Sequence, residues 1–75
     1  MRRDEFLLEM DQFLGLAPGT LQGNEKLEEL EQWDSLSLIS FIALADANSG
    51  VTVSPAQIVN CTTVGDLLRL ARAEV

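Results

Sequence analysis

The stretch that most constrains this chain is residues 33–36, Trp-Asp-Ser-Leu, together with the apolar run that follows it as far as Gly50. Asp34 and Ser35 are both residue types that cap the free backbone N–H groups of a helix's first turn. Asn48 and Gly50 are typical of helix ends. The pattern predicts a helix that either forms the buried centre of a small fold or presents an apolar face to a partner. Its N-terminal dipole favours a bound or attached phosphate at Ser35.

Length and charge narrow the class of protein. With 75 residues, the chain (1–75) is expected to form a single domain near the lower size limit for one hydrophobic core. A hydrophobic content of 47% is sufficient for such a core. The net charge, 5 − 12 = −7, disfavours binding to nucleic-acid phosphates and suits a partner with a basic surface.

Several kinds of chemistry are not expected. The chain contains no histidine and a single cysteine, Cys61, so we expect neither histidine-based catalysis, nor a metal site, nor an internal disulfide. We interpret Cys61 as a small core residue in a reducing compartment. No apolar run reaches the roughly 18 residues of a membrane span, and the N-terminus does not resemble a signal peptide. The expectation is a cytoplasmic, soluble protein, and we expect it to be a monomer.

The segments that flank the apolar run carry their own signals. Apolar residues with a helical period predict a first helix over 4–14, ended by Gly15. Residues 51–53 are β-prone but have no strand to pair with, and are expected to be an extended linker. Ser54 followed by Pro55 predicts a short helix, and residues 63–66 predict a capped final helix. The expected fold is all-α, a small antiparallel four-helix bundle with three main helices and one short one.

The connection from Gly15 to Trp33 is long for so small a domain and is expected to be pinned to the core or functional. Asn24 could cap one or two helical turns that run through Glu31. The expected pins are Leu16, Leu21, Leu27, Leu30 and Trp33, with Trp33 largely buried. The acidic residues Glu25, Glu28, Glu29 and Glu31 are either an ordinary solvated face or a partner surface. An EF-hand is excluded, because the alternating ligands and the central glycine are missing.

With these elements in order, the chain resembles the acyl carrier proteins, a family of small helical domains that includes peptidyl and D-alanyl carriers. Asp34-Ser35-Leu36 matches the family's attachment motif, and the preceding tryptophan matches a variant found in stand-alone carriers. The segments 51–55 and 62–66 follow at the family's spacing. A lone Asp-Ser-Leu triplet would be weak, but the motif is specific in this context.

The resemblance implies that Ser35 carries covalent 4′-phosphopantetheine, transferred from coenzyme A by a separate phosphopantetheinyl transferase. Asp34 and Leu36 would help that enzyme to recognise the site. The arm's thiol would hold a carboxylic-acid intermediate as a thioester, loaded by a ligase or acyltransferase and used by biosynthetic enzymes. The carrier itself would be no enzyme, because the cofactor supplies the reactive group. The plain alternative for Ser35 is a helix cap, a role that Asp34 could fill alone.

The sequence departs from the pattern of fatty-acid-synthesis carriers in its central helix. Where that pattern has acidic residues, this chain has Ser37, Ser40, Ala43 and Ala47. Ser49 stands where the family often has a core phenylalanine. We therefore expect a specialised stand-alone carrier, acyl or aminoacyl, over a housekeeping fatty-acid carrier.

A helical wheel gives an expected docking face. It places Leu36, Ser37, Ser40, Ala43 and Ala47 on one side, opposite an expected core of Leu38, Ile42 and Ala45. The first group would form a neutral surface on which partners dock.

Two other interpretations remain open. One is an unmodified helical adaptor that keeps the fold and uses the apolar helix only to dock a partner. The other is an excised carrier domain of a larger synthase. Met1 and the lack of flanking linkers argue against the second.

Overall fold

The computed structural model describes residues 2–73, and its regular elements within that range are four α-helices and one 3₁₀ turn, with no strand. The expected all-α fold, with three longer helices and one short helix, is confirmed. Met1, which entered the argument for a stand-alone carrier, lies outside the described residues. The helices are α1 (Arg3–Leu14), α2 (Ser35–Ser49), α3 (Pro55–Val59) and α4 (Val64–Leu70), and the 3₁₀ turn is Leu27–Glu29.

Helix α1 forms where its apolar period predicts, starting one residue earlier than the expected Asp4. Asp4 and Glu5 place negative charge in the first turn, where the helix dipole is positive. Gly15 ends the helix in the left-handed conformation, with φ 75°. The inward stripe of α1 is Phe6, Leu7, Met10 and Leu14, all buried, with Phe13 partly buried beside it.

An aromatic contact joins α1 to α2 in the middle of the core. Phe6 and Phe41 are both fully buried, and their rings meet edge to face with centroids 5.6 Å apart. Phe41 and Ala45 are the buried apolar residues that α2 contributes. Leu36 and Ile39 are exposed instead, so α2 is not mostly buried. Of the two alternatives for this helix, the mostly buried one is wrong, because α2 leaves an apolar face exposed.

The long connection between α1 and α2 is pinned to the core by its leucines, as expected. Leu21 and Leu27 are buried, and Leu16 and Leu30 pack partly buried against the core. The expectation that Asn24 caps a helix running through Glu31 is wrong. The residue that precedes the 3₁₀ turn is Lys26, and that position has no side-chain cap.

Asp11 anchors this connection from α1. Its side chain is 1% exposed, and its two carboxylate oxygens accept hydrogen bonds from the backbone N–H of Gly19 at 2.9 Å and of Leu21 at 3.0 Å. A buried carboxylate is tolerated when such bonds replace water. Asp11 therefore fixes the path of the chain as it leaves Gly15.

A second set of bonds ties the same connection to the start of α4. Leu27 N–H donates to the Thr62 carbonyl at 2.9 Å, and Val64 N–H donates to the Glu25 carbonyl at 2.9 Å. The Gly65 N–H lies 2.7 Å from the Gly23 carbonyl. A Cβ added at Gly65 would come within 2.9 Å of that oxygen, so the close approach requires glycine here. These backbone bonds, and not an Asn24 cap, hold residues 23–27 in place.

Capping boxes start the two last helices; the one at residues 63–66 was predicted, whereas at α3 only the Ser54 cap was. Ser54 and Gln57 bond reciprocally at the start of α3, and Thr63 and Asp66 do so at the start of α4. Residues 51–53 are not a strand, and Val53 is buried as the linker crosses the core. The inward side of α4 is Val64, Leu67 and Leu68, followed by Ala71, all buried as expected.

Candidate functional site

The candidate site is the first turn of α2. Asp34 is its N-cap, in an extended conformation, and its Oδ1 accepts a hydrogen bond from the Ser37 N–H at 2.9 Å. Asp34 therefore fills the capping role that was the plain alternative for Ser35. Ser35 is the first helical residue, and it is exposed. Its hydroxyl takes part in no side-chain hydrogen bond among the described residues, so it is free to react.

Asp34 is held as a carboxylate. The backbone N–H of Ser37, and then the Ser37 hydroxyl, stabilise the charged form and lower the pKa of Asp34 below its ordinary value. The side chain is exposed, so burial does little to oppose this effect. The turn thus presents a fixed negative charge immediately before Ser35.

Ser37 lies elsewhere than the helical wheel placed it. The expectation that it belongs to an exposed face is wrong, because its side chain is 6% exposed. Its Oγ donates toward the Gln32 carbonyl at 2.9 Å and Asp34 Oδ1 at 3.0 Å. These bonds satisfy the hydroxyl, which is why a serine can occupy the inward side of α2.

The exposed side of α2 carries a mostly apolar surface, which we call the α2 face: Leu36, Ile39, Ala43 and Ala47, with the exposed Asp46 beside it. Leu36 is 71% exposed and Ile39 is 61% exposed, values that are high for large apolar side chains. Ala43 and Ala47 are exposed as expected, and Ser40 at the edge of this face is only partly buried. Sequence analysis missed Ile39, although its position three residues after Leu36 and four before Ala43 is the spacing of one helix side.

The inward side of α2 also differs from the expected core group. Phe41 and Ala45 are fully buried, whereas Leu38 and Ile42 are only partly buried. Phe41 belonged to neither group of the helical wheel. The core therefore lies on the Ser37–Phe41–Ala45 side of the helix, rotated from the expected Leu38–Ile42–Ala45 side.

Trp33 packs beside the site but less deeply than expected. It is partly buried, not largely buried, and its ring meets Phe41 edge to face with centroids 6.4 Å apart. The backbone N–H of Trp33 donates to the Leu30 carbonyl at 3.1 Å. Trp33 thus connects the end of the long connection to the same phenylalanine that contacts α1.

The acidic residues before the site separate into two kinds. Glu28, Glu29 and Glu31 are exposed. Glu25 is half-buried, and its two oxygens accept the N–H groups of Gln22 at 2.8 Å and Gly23 at 2.9 Å. Burial alone would raise the pKa of Glu25, but these backbone bonds outweigh it and the pKa is lowered. Glu25 is thus part of the fold of the connection.

The remaining chemistry-bearing residues do not form a second site. Cys61 is partly buried, and burial, followed by the negative charge of Asp66, raises the pKa of its thiol. Within residues 2–73, no three side chains of the His, Cys, Asp or Glu types are grouped in a way that could hold a metal ion. In the same part of the chain, every helix is too short or too polar to span a membrane.

Comparison with known proteins identifies the family of the chain. The family model for a phosphopantetheine attachment site matches residues 7–71, which is most of the chain. The chain therefore belongs to the phosphopantetheine-binding carrier family, whose domains bind 4′-phosphopantetheine covalently. Curated proteins and solved structures gave no match.

The first turn of α2 fits this group. Attachment needs a serine hydroxyl that is exposed and unpaired, and Ser35 meets both conditions among the described residues. The helix cap does not need Ser35, because Asp34 provides it. No fold contact has to break for the hydroxyl to be modified.

Proposed function

We propose that this protein carries a carboxylic-acid intermediate on a 4′-phosphopantetheine arm attached to Ser35. The observation that supports this most directly is the exposed Ser35 hydroxyl behind a cap that Asp34 supplies alone. When bound, the arm supplies a terminal thiol that forms a thioester with the cargo. Tethering raises the effective concentration of the cargo at successive enzymes.

Attachment is a phosphoryl transfer in which a separate transferase acts on this chain. The Ser35 oxygen forms a bond to the phosphorus next to the pantetheine of coenzyme A, and the bond to the leaving 3′,5′-ADP breaks. The serine proton goes to a base of the transferase. The part of this chain is to present the hydroxyl at a rigid helix start, where positioning lowers the barrier.

The test of attachment uses intact mass after incubation with coenzyme A and a phosphopantetheinyl transferase. The wild-type chain should gain the mass of one arm, and Ser35→Ala should gain none while keeping its helical circular dichroism. Ser49→Ala removes a hydroxyl from the other end of α2 and is the matched control, which should be modified normally. An alanine variant at Ser35 that still gains an arm would refute the assignment.

The cargo we propose belongs to a specialised pathway, an acyl group or, as the alternative, an aminoacyl group. Support comes from the missing acidic residues along α2, where Asp46 is the one charged residue between Ser35 and Ser49. Purification of the loaded carrier from its host, release of the thioester with hydroxylamine and mass analysis of the product distinguish the two cargoes. An amine-bearing product would favour the aminoacyl alternative.

We further propose that the principal partner docks on the α2 face by shape and apolar burial. Leu36 begins this face directly after the attachment residue, and Ile39 extends it by one turn. Burying two such side chains on binding is favourable by about 1.5–3 kcal/mol each, before the costs of association. The α2 face has little charge with which a basic partner surface could pair.

Salt dependence and matched substitutions separate this idea from docking on the acidic connection. Ala43→Arg places a charge in the α2 face and should disrupt transfer, whereas Glu28→Gln with Glu29→Gln should change it little. Affinity should vary little between about 50 and 300 mM salt, over which the Debye length falls from roughly 14 to 6 Å. Steep salt dependence, with a large effect of the glutamine pair, would decide against the α2 face.

A further inference from the structure

Ser37 makes more contacts at the site than any cap requires. Its backbone N–H donates to Asp34 Oδ1 at 2.9 Å, and its hydroxyl, which has a single proton, lies within donating distance of both Asp34 Oδ1 at 3.0 Å and the Gln32 carbonyl at 2.9 Å. The Ser37 side chain is 6% exposed, so water has little access to its hydroxyl. A hydroxyl at this position therefore holds three groups together.

The bonded residues lie on both sides of Ser35 along the chain. Gln32 lies on the chain before the motif, Asp34 is the cap, and Ser37 is in the first turn of α2. Ser35 sits between Asp34 and Ser37 along the backbone, so its conformation is constrained on both sides. The bond to Gln32 is the additional link, because it ties the incoming chain to the helix itself.

We propose that Ser37 is a positioning residue for phosphopantetheine attachment: its buried hydroxyl fixes the Asp34 carboxylate and the Ser35 hydroxyl in the arrangement that a transferase requires. This inference rests on the proposed function. In this proposal Ser37 acts through the Asp34 carboxylate and makes no contact of its own with coenzyme A.

The primary test is steady-state kinetics of arm transfer to Ser37→Ala. The substitution removes both hydroxyl bonds and keeps the backbone bond that caps α2, so the helical circular dichroism should be unchanged. The variant loses about one hydrogen bond that orients the site, and kcat/KM should therefore fall by roughly five- to tenfold. Ser49→Ala is the control from the same helix, because the Ser49 hydroxyl is buried without a partner among residues 2–73. That control should keep the wild-type rate.

A double-mutant cycle with Asp34→Ala separates positioning through Asp34 from an independent effect. If Ser37 acts through Asp34, its substitution should add little in the Asp34→Ala background. Titration of the Asp34 carboxyl by NMR gives a second readout, since losing the hydroxyl bond should raise its pKa toward the ordinary value. Additive losses in the cycle, or a wild-type kcat/KM for Ser37→Ala, would overturn the proposal.

A second variant and the wild-type chain complete the test. If Ser37→Ala loses helical signal, Ser37→Cys replaces it, because a thiol is of similar shape but is a weaker donor. A folded cysteine variant with a reduced rate supports the proposal, and one with the wild-type rate overturns it. Failure of the wild-type chain to accept any arm would overturn the proposed function itself, a result that the Ser37 variants cannot imitate.

Discussion

Replacing Asp11 by alanine is the sharpest test of how the long connection is held. The side chain is 1% exposed and accepts two backbone N–H bonds, from Gly19 and Leu21. A hydrogen bond to a charged group contributes about 1.5 kcal/mol or more, so losing both should cost about 3 kcal/mol. A domain of this size has roughly 4–11 kcal/mol of stability in total, and the loss is therefore a large share of it.

The assay is urea denaturation followed by circular dichroism and by the fluorescence of the single tryptophan, Trp33. With a slope of about 1 kcal/mol/M, the midpoint for Asp11→Ala should fall by about 3 M. Asp11→Asn keeps one acceptor oxygen but places its amide N–H against one of the two backbone N–H donors. Its urea midpoint should therefore fall by less than that of Asp11→Ala. Glu9→Gln, an exposed site on the same helix, is the control. A midpoint for Asp11→Ala equal to that control would refute the anchoring role.

Three further predictions concern residues around the core and the site. Trp33→Ala should lower stability by about 1–2 kcal/mol, below the ~3 kcal/mol expected of a fully buried tryptophan, because the ring is partly buried; an unchanged urea midpoint would contradict its contact with Phe41. The pKa of Glu25 is lower in the folded state than its ordinary value of 4.5. Ionised Glu25 therefore stabilises the fold above pH 4.5, and this contribution is lost as the pH falls through the lower pKa of the folded state. Urea midpoints measured from pH 6 to about 3 should then fall less for Glu25→Gln than for the wild type, and parallel curves would contradict this. Ser49→Ala should raise the free energy of unfolding by up to about 1 kcal/mol, because it removes a buried hydroxyl with no partner in residues 2–73; a lower Tm would indicate an unseen bond.

Much of the helical framework could be predicted because its signals are local. Asp34, Ser54 and Thr63 cap the helices that they precede in the sequence, and each makes its bond within three residues. Gly15 ends α1 because glycine adopts the left-handed conformation without steric cost. The attachment motif is likewise a short segment, and its first turn forms from its own residues. Such features depend on near neighbours, which the sequence contains.

The orientation of α2 could not be predicted, because it depends on what packs against the helix. Nearly every side of α2 is apolar, so its composition gives a weak preference for one inward side. The tertiary structure decides in favour of Phe41, which meets Phe6 from α1 and Trp33 from the connection. That choice carries Ser37 inward and leaves Leu36 and Ile39 exposed.

The polar anchors were also decided by the tertiary structure. Asp11 and Glu25 look like ordinary surface acids in the sequence, and their roles come from backbone N–H groups that other segments bring to them. Backbone donors have no sequence signature, because every residue except proline carries one. The sequence by itself therefore determined where the helices begin and that Ser35 stands at a helix start. Only folding determined which polar side chains became buried and which face of α2 was left exposed.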